Sequence, residues 1–111
     1  MQFAVPEITV QEAKRLLDSP EPPRLIDVRE ADEWEICRLA GAEHLPLSQW
    51  PELAQQTLSD VAEPLLILCH HGTRSAHAVE FLRRQGFTNV TNVGGGIDAW
   101  SAEIEPTLAR Y

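Results

Sequence analysis

A chain of 111 residues with 43% hydrophobic side chains can bury a core without disulfides or metals, and is too apolar for a disordered tract. Seventeen acidic against nine basic side chains leave a net charge of −8, which argues against affinity for nucleic acid or anionic membranes. No apolar run approaches the roughly 18 residues that cross a bilayer, and Met1 to Ile8 lacks the make-up of a signal peptide, so the expectation is one cytosolic domain over residues 1–111.

Thr9-Val10-Gln11-Glu12 has capping-box spacing, and Ala13, Leu16 and Leu17 form an apolar stripe, which predicts a helix from about Val10 to Asp18. Ser19-Pro20-Glu21-Pro22-Pro23 ends it. Arg24 to Arg29 reads as a strand whose polar residues, Asp27 and Arg29, arrive at its carboxyl end. Glu30 to Ile36 has helix-forming composition, and Gly41 to Leu47 is a loop leading into a brief strand that Pro46 closes. A helix follows from Trp50 or Pro51 to Leu58, with Pro51 in its first turn.

Leu65-Leu66-Ile67-Leu68, bounded by Pro64 and a glycine-containing turn, reads as a buried strand of the parallel kind. Ser75 to Arg84 is the next helix, stopping at Gln85-Gly86. Phe87 to Val93 supplies the last strand, and Gly94-Gly95-Gly96 turns the chain into a short helix containing Ile97, Ala99 and Trp100. Alternating strands and helices are the pattern of a parallel α/β sheet with helices on both faces.

Cys69 lies where the apolar strand runs out and a helix is about to begin. Loop N–H groups and the helix dipole favour negative charge at such a point, and the thiolate is the reactive form of cysteine. A cysteine that merely filled the core would need neither Gly72, nor Arg74 five positions on, nor a helix start. His70, His71, Gly72, Thr73, Arg74 and Ser75 are the candidates for holding an anionic substrate, chiefly through their backbone N–H groups. Arg74 either aims its guanidinium at the anion or braces the loop by pairing with an acidic residue. Thr73 offers a hydroxyl to the ligand or caps the helix, with capping preferred. Ligands of open parallel sheets collect beyond the carboxyl ends of the strands, so Asp27, Arg29 and Cys69 are expected along one edge. Cys37 and Cys69 lack zinc spacing, and Cys69, His70 and His71 are too close in sequence to converge on one ion; no metal or cofactor is expected.

Four motifs in order resemble the rhodanese (sulfurtransferase) family: Leu25 to Glu30 with Glu33-Trp34, then Gly41-Ala42, then Cys69 to Ser75, and finally Val93 to Trp100. The resemblance implies a five-stranded parallel sheet flanked by helices on both faces. It also implies that Cys69 takes a sulfane sulfur from a small anionic donor such as thiosulfate, becomes a persulfide, and passes the sulfur to cyanide or a thiol, a protein thiol included. A persulfide carrier or regulatory module serving a protein partner is the alternative. Asp27 and Arg29 resemble positions that brace the sheet edge near the site. The chain departs from the family at Cys37-Arg38-Leu39-Ala40, where members commonly carry Gly-His-Ile-Pro. Cys37 is read first as a small buried residue, and second as a thiol that resolves a Cys69 persulfide into an internal disulfide. Cysteine phosphatases and arsenate reductases rank lower. The phosphatase loop has five residues between Cys and Arg, whereas His70, His71, Gly72 and Thr73 alone intervene here.

Overall fold

The most apolar stretches of the chain form the centre of a parallel sheet, and their alternating side chains divide the core in two. The computed structural model describes residues 4–111; Met1 to Phe3, part of the stretch read for a signal peptide, lie outside it. In chain order the elements are β1 (Glu7–Ile8), α1 (Val10–Leu17), β2 (Arg24–Asp27), α2 (Ala31–Ile36), β3 (Glu43–His44), a 3-10 turn (Leu47–Gln49), α3 (Glu52–Thr57), β4 (Leu65–Leu68), α4 (Thr73–Arg84), β5 (Val90–Val93) and α5 (Gly96–Glu103). The five strands lie in the order β1-β5-β4-β2-β3, and every pairing is parallel.

Successive strand residues face opposite sides, so Ile26, Leu65, Ile67 and Val90 pack on one face with Ala54 of α3, Leu58 just after it, and Ala78, Val79 and Leu82 of α4. Leu25, Leu66, Leu68 and Val93 pack on the other face with Val10 and Ala13 of α1 and Ile97 and Trp100 of α5. All four residues of β4 are buried, as a central strand covered on both faces requires. The capping box at α1 is formed as its spacing foretold: the Thr9 hydroxyl accepts from the Glu12 N–H at 3.1 Å, and the Glu12 carboxylate accepts from the Thr9 N–H at 3.1 Å.

Several boundaries differ from expectation; α3 begins at Glu52, with Pro51 as its N-cap rather than in its first turn. β2 ends at Asp27, and β5 begins only at Val90, because Phe87 to Asn89 bend so that the Thr88 N–H reaches the Val61 carbonyl at 2.8 Å. α4 begins at Thr73 rather than Ser75, with Gly72 as its N-cap in a left-handed conformation (φ +103°). Thr73 is therefore the first helical residue and not the cap, a correction to the capping role expected of it. Among the described residues no helix is long and apolar enough to cross a membrane.

Candidate active site

β2 and β4 run side by side in register, Asp27 opposite Leu68, so the chain beyond both strands emerges at one edge. There the loop after β4 is shaped by α5. The Cys69 and His70 carbonyls accept hydrogen bonds from the N–H groups of Ile97 (2.9 Å) and Asp98 (3.0 Å), the unpaired donors of the first turn of α5. Gly96 permits this docking, because a Cβ there would lie 2.5 Å from the Cys69 carbonyl oxygen and closer still to that of His70. The Gly72 N–H donates to Cys69 Sγ at 3.0 Å, and the hydroxyl of the fully buried Ser75 donates to the same sulfur at 3.2 Å. Cys69 itself is only 1% exposed, at the floor of its loop. Two donors converging on one sulfur make a place for a sulfur anion.

Arg74 braces the loop. Its guanidinium forms a two-pronged ion pair with Glu33 of α2, at 2.6 and 2.8 Å. Glu33 also accepts from the Glu30 N–H and from the Tyr111 hydroxyl, and the Arg74 guanidinium above all holds its carboxyl at about 2. The Tyr111 hydroxyl accepts in turn from Arg29 at 2.9 Å, and burial pushes its pKa up to about 12. Arg29 and Asp27 are both fully buried and paired at 2.8 Å, with Arg29 also donating to the Cys37 carbonyl at 2.7 Å. Asp27, Arg29, Tyr111, Glu33 and Arg74 thus form one continuous chain of polar contacts from the end of β2 to the start of α4.

The remaining loop side chains sit at the mouth. The His70 ring stacks on Tyr111, with centroids 3.9 Å apart and planes within 8°, and it also touches the His71 ring at 3.8 Å. Burial first, and the neighbouring His71 second, lower the His70 pKa. His71 is largely exposed and lies 3.8 Å from the Asp98 carboxylate. Thr73 is exposed at the head of α4. Cys37 packs in the core cluster on the α1 and α5 side, whereas Cys69 belongs to the cluster on the opposite side.

Sequence reasoning missed Glu7, Glu33, Asn92 and Tyr111 as site residues. Asn92 is fully buried in β5, and its Nδ2 donates to Glu7 Oε1 at 2.8 Å and to the Gly72 carbonyl at 3.1 Å. An asparagine between the apolar residues Val90 and Val93 was the visible signal.

Residues 9–103 match the Rhodanese-like domain family, and the chain belongs to it. It is 35% identical over 109 residues to the adenylyltransferase and sulfurtransferase MOCS3-1 of Zea mays, an alignment covering 94% of this chain and 23% of that protein. It is 33% identical over 102 residues to YrkF of Bacillus subtilis (strain 168), described as a sulfur carrier, covering 92% of this chain and 54% of that protein. The chain therefore spans between about a quarter and about half of these relatives. The crystal structure of a rhodanese-like domain protein from Staphylococcus aureus superposes with a TM-score of 0.81 at 30% identity, covering 96% of this chain and 99% of that one. Sulfurtransferases and sulfur carriers both occur among these homologues.

Proposed function

We propose that this protein is a sulfurtransferase of the thiosulfate type, moving a sulfane sulfur from thiosulfate or a similar small anionic donor to cyanide or a thiol through a persulfide on Cys69. The observation that carries this reading is the pair of donors, the Gly72 N–H and the Ser75 hydroxyl, aimed at the Cys69 sulfur. In the first half-reaction the Cys69 thiolate attacks the outer sulfur of thiosulfate. The sulfur–sulfur bond of the donor breaks, and sulfite leaves with the bonding electrons. The product is a persulfide, again an anion, held by the same loop. In the second half-reaction cyanide or a thiolate attacks the terminal sulfur and the Cys69 thiolate departs, regenerating the starting state. No proton has to move, so the loop needs amides and a hydroxyl rather than a general base.

The relatives support a second reading, in which the Cys69 persulfide is delivered to a protein thiol and the domain works as a sulfur carrier or regulatory module. Both readings need the same first half-reaction. A phosphatase or arsenate reductase is disfavoured by the four residues between Cys69 and Arg74 and by the engagement of Arg74 with Glu33.

Initial rates with thiosulfate and cyanide test the proposal. We expect thiocyanate formation with parallel double-reciprocal lines, the mark of a two-step exchange, and none from Cys69→Ser. Hydrolysis of p-nitrophenyl phosphate that depends on Cys69, without sulfur transfer, overturns it.

A further inference from the structure

We infer that Asn92, anchored from behind by Glu7, is a positioning residue of the sulfur cradle: it holds the Gly72 carbonyl, and through it the φ and ψ of Gly72, so that the Gly72 N–H in the preceding peptide points at Cys69 Sγ. The inference deepens the sulfur-transfer reading, since it explains how the cradle keeps its shape.

Among the described residues, Gly72 alone in the loop donates its N–H to the sulfur at hydrogen-bond distance, and it stands at φ +103° and ψ −6°. Only glycine adopts that conformation readily, and the same freedom leaves the direction of its N–H loosely held by local geometry. An outside anchor is therefore needed. The Gly72 carbonyl has two: the Ala76 N–H of α4 at 3.2 Å and Nδ2 of Asn92 at 3.1 Å. The helix bond closes the first turn of α4, whereas the Asn92 bond ties the loop across to the sheet. In the sheet, Glu7 of β1, Asn92 of β5 and Ile67 of β4 are register partners in one row, two residues short of Cys69.

The orientation of the Asn92 amide follows from chemistry. Both neighbours within reach, the Glu7 carboxylate and the Gly72 carbonyl, are acceptors, so the nitrogen must face them. Its oxygen is left without a hydrogen-bond partner among the described residues. A fully buried amide with an unmet oxygen is a poor choice for holding a strand together, and valine would suit the position better. Asn92 is placed to hold Gly72, and Glu7 is placed to hold Asn92.

The test separates positioning from bracing. Asn92→Asp keeps the shape but has no N–H for Gly72, and sets a second carboxylate against Glu7. The double variant Glu7→Gln with Asn92→Asp restores the bond between strands, because the Gln amide can donate to the Asp carboxylate, yet still offers nothing to the Gly72 carbonyl. Each is measured by thermal midpoint and by the rate of Cys69 alkylation with iodoacetamide at pH 7, read by peptide mapping. We expect Asn92→Asp to lower both, with alkylation slowed by about tenfold. The double variant is expected to regain the thermal midpoint and to stay slow. Recovery of the rate together with the midpoint makes Asn92 a strand brace and overturns the inference. Should Asn92→Asp not fold, Asn92→Ala gives the same reading, and an unchanged alkylation rate in that folded variant overturns the inference equally. Because alkylation does not require sulfur transfer, a wild-type protein that forms no persulfide from thiosulfate refutes the proposed function while leaving this result standing.

Discussion

Replacing Gly96 with alanine strikes the contact that shapes the cysteine loop. The new Cβ would stand 2.5 Å from the Cys69 carbonyl oxygen and nearer still to that of His70, where real Cβ atoms essentially never come within 3.0 Å. Both obstacles are backbone and cannot rotate aside. Relief requires the first turn of α5 to lift off the loop, breaking the bonds from Ile97 to Cys69 and from Asp98 to His70, each worth about 1 kcal/mol net. Holding alanine at φ +62° adds about 1 kcal/mol more. A loss of about 3 kcal/mol in urea unfolding is expected. Persulfide formation, followed by intact mass in a single turnover, should slow at least tenfold as the released Cys69 carbonyl lets the cradle open. Gly41→Ala is the control: its φ is +81° but nothing lies within 4 Å of the added Cβ, so it should cost about 1 kcal/mol and leave the rate unchanged. If Gly96→Ala costs no more than Gly41→Ala and keeps the full rate, the docking of α5 does not shape the site.

Glu33 titrates near 2 in the folded protein against an ordinary value of 4.5, so its contribution is complete above pH 5 and disappears as pH falls toward 2. The full shift corresponds to about 3 kcal/mol, but Arg74 is 37% exposed and water screens the pair, which leaves about 1 kcal/mol. Glu33→Gln should therefore narrow the stability difference between pH 6 and pH 2 by about 1 kcal/mol, and parallel curves for the two proteins would refute the pairing. Ser75→Ala removes one of the two donors to the Cys69 sulfur and should slow persulfide formation about tenfold with the unfolding midpoint little changed; an unaltered rate makes the hydroxyl idle. Cys37→Ala should leave the lifetime of the Cys69 persulfide as it is, since the two thiols pack in different core clusters. A lengthened lifetime would show that the thiols meet.

The parts of the site readable from sequence are those made by neighbours along the chain. Cys69, the turn at Gly72 and the start of α4 fall within five residues, and Asp27 reaches Arg29 two residues on. Arg74 was legible as a loop cation but its direction was not, because Glu33 stands 41 positions away and meets it only when β2 and β4 lie side by side. Glu7 and Tyr111 join the site through contacts spanning most of the chain, so no local pattern marks them. β1 has two residues, too few to show a period of two. The separation of Cys37 from Cys69 depends on which side of the sheet each helix packs, a choice that spacing does not encode.

The most direct test is to treat the protein with thiosulfate, remove the donor, and locate any added sulfur by intact mass and peptide mapping. One sulfur atom on Cys69, discharged by cyanide and absent from Cys69→Ser, is the expected result. An unmodified Cys69, or sulfur carried by Cys37 instead, would contradict a loop built to hold ionised sulfur.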